Sequence, residues 1–304
     1  MAKKISFLNL KGGVGKTSLI VNVGSCLAYM GKRVLVVDLD AQSNSSIWLM
    51  RLDRWNALNR TPEKFLLNLF KDPNANIRDC IQKSPVKDAY GEEVLPKLDL
   101  VPASFSLLDL EHDIPNKFGT PFYNHFYDQI KEIEDDYDYI LFDCPPSFSY
   151  APQCALFSSE WVVVPANADG LSIIGFHLLI EKLTKFRNNT ENDREDKGAP
   201  NPQIMGVCLN AIKQGVKIET STKRFETQIQ RFIDQGKAPS TTHLFPTRIS
   251  HSVAVGRSVM QGLPMVLLSK GEASVNVAED YIMTAQYIEK LLSPTGAIAR
   301  AAAK

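Results

Sequence analysis

The residues best suited to chemistry form a glycine-rich run with a lysine at each end. The run comprises Lys11, Gly12, Gly13, Val14, Gly15, Lys16, Thr17 and Ser18. Glycines let successive backbone N–H groups turn inward on phosphate oxygens, because no side chain blocks the approach. The Lys16 ammonium can neutralise the β- and γ-phosphates of a nucleotide, and the Thr17 hydroxyl can ligate Mg²⁺. The run therefore predicts a phosphate-binding loop.

The segments on either side of this loop strengthen the prediction. Residues 5–10 are an apolar, strand-like stretch, and an amphipathic stretch begins at residue 18. A helix that starts at such a loop points its positive end at the bound anion. The alternative, a chance glycine turn before a helix, would not be expected to carry every element of the signature in order.

Carboxylates follow two further strand-like runs. Residues 34–38 end in Asp38, and Asp40 follows two positions later; residues 139–143 end in Asp143. Two carboxylates two residues apart on an extended chain point the same way, so both would face the phosphates. A solvated acidic turn is the alternative. An apolar strand ending in Asp is the Walker B arrangement, in which the carboxylate holds Mg²⁺ through water.

Composition limits the class of protein. The chain has 304 residues, 44% of them hydrophobic, and a formal net charge of zero. A globally basic DNA-binding protein is therefore excluded, but a local basic patch is not. Five cysteines without C-x-x-C spacing indicate reduced thiols. The sequence contains no apolar run of about 18 residues that would predict a transmembrane helix, and we expect no signal peptide before the first strand.

Strand-like and helical patterns alternate along the chain. Strands are predicted at residues 5–10, 34–38, 98–101, 139–143, 161–165 and 205–211, and helices at 18–30, 121–134, 171–187, 220–235 and 274–292. The strands are continuous in apolar residues, which is typical of a parallel sheet covered on both faces. We therefore predict a doubly wound α/β fold of the P-loop NTPase class, with ligands at the carboxyl ends of the strands.

The domain organisation follows from the same patterns. We expect one ATPase domain over residues 1–293 and a disordered tail over 294–304. Residues 188–201 are polar and charged, which predicts a flexible insertion. Residues 51–96 show no clear periodicity.

The run Lys-Gly-Gly-Val-Gly-Lys-Thr resembles the deviant Walker A loop of the ParA/MinD family, and residues 3–40 resemble ParA and Soj partition ATPases. The sequence Asp-Cys-Pro-Pro-Ser from residue 143 also resembles this family. The resemblance implies ATP and Mg²⁺ as cofactors and a homodimer in the ATP state. It implies that Lys11 reaches the partner's nucleotide, that Asp38 lies near Mg²⁺, and that Asp40 orients the attacking water. A surface lysine without a role is the alternative for Lys11.

Two further interactions follow from the resemblance. Asn210 and Pro246 would hold the adenine ring. The spacing of Phe225, Ile229 and Ile233 predicts the buried stripe of a helix over residues 220–235. The resemblance implies that a basic face of this helix binds DNA. The basic residues in question are Lys213, Lys217, Lys223, Arg224 and Arg231. A merely solvated basic face is the alternative.

The resemblance implies a ParA-type switch ATPase that binds non-specific DNA as an ATP-bound dimer and positions a cargo. Hydrolysis would be slow and stimulated by a ParB-like or cargo-adaptor partner. The protein would be cytoplasmic and nucleoid-associated. The rivals are a MinD-like membrane ATPase, an iron–sulfur reductase and a nucleotide-dependent adaptor. The sequence at 297–304 is too weakly apolar for a membrane anchor, and Cys144 and Cys154 lack a cluster motif.

Overall fold

One seven-stranded sheet organises the chain. The computed structural model describes residues 1–109, 121–268, 275–296 and 298. The strands are β1 Lys3–Phe7, β2 Val34–Asp38, β3 Leu98–Val101, β4 Tyr139–Asp143, β5 Trp161–Ala166, β6 Gln203–Ile212 and β7 His243–Ser250. Their order is β3-β2-β4-β1-β5-β6-β7, and every neighbouring pair is parallel.

Helices connect the strands and cover both faces of the sheet. We number the described α-helices α1 Lys16–Tyr29, α2 Asn44–Met50, α3 Leu52–Leu58, α4 Asn68–Lys71, α5 Ile77–Cys80, α6 Phe122–Ile133, α7 Tyr150–Ser158, α8 Gly170–Asn189, α9 Glu191–Lys197, α10 Glu219–Asp234, α11 Val253–Gln261 and α12 Val275–Leu292. The predicted doubly wound, parallel α/β fold is confirmed.

The core forms two apolar layers, one on each side of the sheet. Val34 and Val36 of β2 face the layer that contains α1 and α12, whereas Leu35 and Val37 face the layer that contains α6, α7, α8 and α10. Successive strand residues point to opposite faces. Burial on both faces explains why the strands read as unbroken apolar runs.

The strand order places the phosphate loop beside the acidic strand ends. The loop follows β1, which lies between β4 and β5. Phe7 at the end of β1 and Asp38 at the end of β2 both pair in register with Asp143 at the end of β4. All three carboxyl ends therefore meet at one edge, where open parallel sheets bind their ligands.

The strand predictions were accurate for β2, β3 and β4 and inaccurate for β1 and β7. The bounds of β2, β3 and β4 are as predicted. β1 ends at Phe7 instead of residue 10, and beyond it the Asn9 side-chain amide donates to the Pro165 carbonyl at 2.7 Å. β7 was not predicted; it is an edge strand, where the missing N–H of its exposed Pro246 costs least.

The prediction of a flexible insertion at residues 188–201 was wrong. Helix α8 continues to Asn189, and α9 follows almost at once. The Arg194 side chain is buried and donates to the Arg187 carbonyl at 2.6 Å, so a charged residue anchors a segment that has few apolar ones. Most of the predicted tail, residues 297 and 299–304, lies outside the described residues, whereas Ile298 is buried.

Candidate nucleotide site

The phosphate loop has the backbone conformation that its glycines predict. Gly13 and Gly15 have φ values of 71° and 75°, in the left-handed region that other residues rarely adopt. A Cβ at Gly15 would lie 2.3 Å from Nδ2 of Asn210, so space as well as conformation requires glycine there. Helix α1 begins directly after Gly15, at Lys16.

The second lysine of the loop is buried among polar groups. Lys16 is 7% exposed, and its Nζ donates to the Lys11 carbonyl at 3.3 Å. Burial lowers the pKa of Lys16, while the carboxylates of Asp143 and Asp40 act in the opposite direction. A phosphate at the loop would add negative charge near Lys16 and favour its ammonium form.

Asp143 lies where a hydrated cation would need it. Its Oδ2 accepts hydrogen bonds from Thr17 Oγ1 at 3.0 Å and from Ser45 Oγ at 2.5 Å. Its Oδ1 is buried and has no hydrogen-bond partner in the described part of the chain. Burial raises the pKa of Asp143 to about 6. A buried carboxylate oxygen without a partner, next to a threonine hydroxyl, fits the outer sphere of a bound Mg²⁺.

Asp38 holds the segment that carries Asp40. The Asp38 Oδ2 accepts hydrogen bonds from the backbone N–H of Ser46 at 2.9 Å and from its hydroxyl at 2.7 Å. Its Oδ1 accepts the Asp40 N–H at 3.1 Å. Burial, and then the neighbouring Asp143, raise the pKa of Asp38. Asp40 is half-buried, and within the described residues its carboxylate accepts only a local bond, from the Gln42 N–H at 2.9 Å, so it remains at the rim of the site.

Lys11 is held at the edge of the site by helix α8. Its Nζ donates to Asp169 Oδ2 at 2.6 Å and to Ser172 Oγ at 3.2 Å. Asp169 also caps α8 by accepting the Ser172 N–H at 2.7 Å. The helix can approach this closely because Gly175 has no Cβ, which would lie 2.9 Å from Asn9 Oδ1. Lys11 is therefore paired within its own chain and is 21% exposed at its side chain.

The two residues predicted to hold adenine lie in different surroundings. Asn210 is buried, and its amide binds the phosphate loop itself. Pro246 is exposed on the edge strand β7. An adenine contact by either residue stays a prediction.

The predicted basic residues form an exposed surface around α10. Lys213 and Lys217 precede the helix, and Lys223, Arg224 and Arg231 lie on it, all exposed. None of the five forms a salt bridge to another residue that the structure describes.

The buried stripe of α10 differs from the prediction at one position. Phe225 and Ile229 are buried, but Phe232 replaces Ile233, which is only half-buried. The larger aromatic ring of Phe232 packs against Phe176 at a centroid distance of 5.9 Å.

Several residues of the site were missed in the sequence. Ser45 and Ser46 bind the two buried carboxylates, and Asp169 and Ser172 bind Lys11. The only signal available was the Ser-Asn-Ser-Ser run after the Asp38–Asp40 strand end, which is typical of a helix start. Asp169 lies 158 residues from Lys11 in the chain, and no local pattern connects them.

Comparison with known proteins agrees with this geometry. Residues 2–195 match the family described as "AAA domain". The chain is 33% identical to the cell division protein PomZ of Myxococcus xanthus, over 91% of this chain and 76% of PomZ. It is 29% identical to the sporulation initiation inhibitor protein Soj of Bacillus subtilis, over 79% of this chain and 88% of Soj.

The chain belongs to the ParA/MinD family of P-loop ATPases. The ATP complex of McdA from Cyanothece has the same fold, with a TM-score of 0.68 at 20% identity over 96% of this chain and 99% of McdA.

The weakly apolar segment at 297–304 lies outside the described residues except for Ile298. Among the residues that the structure describes, no helix combines the length and apolar character needed to cross a membrane. All five cysteines are buried free thiols. In the same residues, no group of three or more His, Cys, Asp or Glu side chains is placed to hold a metal ion.

Proposed function

We propose that this ParA/MinD-family ATPase is a dimerising switch that hydrolyses ATP slowly and releases its dimer on hydrolysis. The observation that carries the proposal is the position of Lys11. This lysine lies at the start of the phosphate loop, at the end away from α1, and it is held by a partly exposed carboxylate and not by the core. In a dimer with a two-fold axis, Lys11 of each subunit could contact the nucleotide bound by the other subunit.

The hydrolytic roles follow from the positions of the carboxylates. The Thr17 hydroxyl would ligate Mg²⁺ directly, and the Asp143 carboxylate would hold the ion through water. Asp38 would lie beside these two residues. Magnesium would neutralise charge on the phosphates. Asp40 would orient the attacking water, because its carboxylate is the one at the rim without a buried donor. Lys16 would stabilise the charge that develops on the phosphates.

The basic surface on α10 would bind DNA in the dimer. Five exposed cations without salt bridges among the described residues can meet backbone phosphates without first breaking an ion pair. The zero net charge makes binding weak for a monomer and favours a dimer, which presents two basic surfaces to one duplex. Binding of this kind would not depend on base sequence.

In this proposal the ATP-bound dimer binds the nucleoid in the cytoplasm. It positions a cargo, such as a plasmid, a chromosome region or a protein assembly. A ParB-like protein or a cargo adaptor would stimulate hydrolysis. The similarity of this chain to PomZ and Soj supports an ATPase of the ParA/MinD class.

Lys11→Ala tests the proposal. The variant should retain most of the monomer's affinity for ATP but lose ATP-dependent dimers and, with them, DNA binding, because dimer and DNA surface form one linked equilibrium. Light scattering and binding to an unrelated duplex at saturating ATP measure the two effects. Lys87→Ala is the matched control, since Lys87 forms a similar partly exposed pair with Glu93, far in the chain from both the loop and α10. Normal dimers and normal DNA binding in Lys11→Ala would disprove the switch.

A further inference from the structure

Asn210 is the residue that ties the phosphate loop to strand β6. Its side chain is 2% exposed. Its Nδ2 donates to the carbonyls of Val14 at 3.0 Å and Gly15 at 2.9 Å, across 196 and 195 positions of chain. An amide that bridges two consecutive carbonyls restrains both peptide planes at once.

Those two peptide planes carry donors that a phosphate needs. The Val14 carbonyl shares its planar peptide with the Gly15 N–H, and the Gly15 carbonyl shares its peptide with the Lys16 N–H. In a trans peptide the carbonyl and the N–H point in opposite directions, and no cis peptide occurs in the described chain. The Gly15 carbonyl also accepts the Leu19 N–H at 3.0 Å and the Ser18 hydroxyl at 2.9 Å, so the first turn of α1 helps to hold that plane. Asn210 thus holds the Val14 carbonyl and shares the Gly15 carbonyl, and the N–H groups of Gly15 and Lys16 point away from its amide.

The orientation of the Asn210 amide is itself determined. Its Oδ1 accepts the Ala211 N–H at 2.8 Å, so the Nδ2 end must face the loop. Ala211 has a φ of 54°, a left-handed conformation that a residue with a Cβ rarely adopts. The pairing of β6 with β7 shifts register between Leu209 and Ile212, which is where this turn interrupts the ladder. The strand is therefore distorted at the position that aims the amide.

We propose that Asn210 is a positioning residue that pre-orients the Gly15 and Lys16 amides for phosphate, and that the left-handed Ala211 holds Asn210 in place. This role differs from an adenine contact, because it acts on the phosphate loop and not on the base. It rests on nucleotide binding alone and not on the dimer or DNA steps of the proposed function.

The test compares ATP with inorganic tripolyphosphate, which has no base. Asn210→Asp preserves the shape of the side chain but places carboxylate oxygens against the two carbonyls. We expect the dissociation constants for ATP and for tripolyphosphate to rise by the same factor, about tenfold or more. Isothermal titration with ATP and displacement of a fluorescent ATP analogue by tripolyphosphate measure both. Asn210→Ala, which leaves the carbonyls to water, gives the same comparison if the Asp variant does not fold.

Two further variants test the role of Ala211. Ala211→Gly accepts the left-handed conformation, so both affinities should stay within about twofold of wild type. Valine at this position cannot adopt the left-handed conformation without strain, so Ala211→Val should lower the affinities for ATP and for tripolyphosphate by the same factor. Asn22→Asp is the control for a buried asparagine, since Asn22 also donates to a backbone carbonyl, that of Ser18, but does not bind the loop turn. It should lower the melting temperature but leave the affinities for ATP and for tripolyphosphate each within about twofold of wild type.

The outcomes separate cleanly. A decrease in ATP affinity with unchanged tripolyphosphate affinity would assign Asn210 to the base and overturn the proposal. Unchanged affinity for both ligands would overturn it as well. Failure of dimerisation or DNA binding in the wild-type protein would contradict the proposed function without affecting this result.

Discussion

Asp169→Asn should strengthen ATP-dependent dimerisation. The Asp169 carboxylate holds Lys11 within its own chain at 2.6 Å. If Lys11 is needed at the partner's nucleotide, this pair must break in both subunits whenever a dimer forms. Asparagine is the right replacement because it caps a helix as well as aspartate does, so α8 should keep the bond from the Ser172 N–H. The charge is removed and the local fold is retained.

The magnitude follows from the exposure of the pair. The Lys11 and Asp169 side chains are 21% and 44% exposed, so water screens their attraction. Pairs of this kind contribute about 0.2–1 kcal/mol each. Two such pairs break per dimer, which predicts a dimer about 2- to 30-fold tighter in the variant. The melting temperature of the monomer should change little.

The dimer dissociation constant is measured by sedimentation or light scattering over a range of protein concentration at saturating ATP. Both proteins also carry Asp40→Ala, so that ATP is hydrolysed slowly during the measurement. Glu181→Gln is a closely matched control. Its pair with Lys237 has the same length, 2.6 Å, and exposures of 29% and 43%, but lies away from the phosphate loop. That control should leave the dimer constant unchanged. An unchanged or weaker dimer in Asp169→Asn would refute the idea that Lys11 is shared between two sites.

Three further substitutions test the site and the DNA surface. Lys16→Ala removes the buried cation of the loop and should lower ATP turnover at least about 100-fold in a phosphate-release assay; wild-type affinity and turnover would disprove its role. Asp40→Ala should keep ATP binding but accumulate dimers on size exclusion, with hydrolysis reduced about 100-fold or more; a monomer with undiminished hydrolysis would contradict the assignment. Arg224→Glu with Arg231→Glu should weaken DNA binding but spare dimerisation, and the slope of log affinity against log salt should shrink by about 0.9 for each DNA phosphate that is no longer neutralised. An unchanged slope would place the DNA surface elsewhere.

The sequence by itself determined the phosphate loop and the strands that end in acidic residues. The loop is a contiguous signature whose chemistry depends on residue type and spacing alone. The strands β2 and β4 were predicted to the residue, because unbroken apolar runs ended by a carboxylate are local features. The doubly wound fold followed from the same alternation of strands and helices.

Local sequence patterns predicted the structure less well where a residue is buried by partners that are distant in the chain. Residues 188–201 read as flexible, since Arg194 looks like a surface charge until the Thr190 hydroxyl and the Arg187 carbonyl accept its guanidinium. Strand β7 was missed because its residues alternate less regularly and include Pro246, whose missing N–H weakens a strand pattern in the sequence.

The tertiary structure alone decided which side chains meet. The order β2-β4-β1 places Asp38 and Asp143 side by side and beside the phosphate loop. Ser45 reaches Asp143 across 98 positions, Lys11 reaches Asp169 across 158, and Asn210 reaches Val14 across 196. Such interactions leave no periodic trace in the sequence, because each depends on the packing of whole helices and strands and not on the neighbours of the residue in the chain.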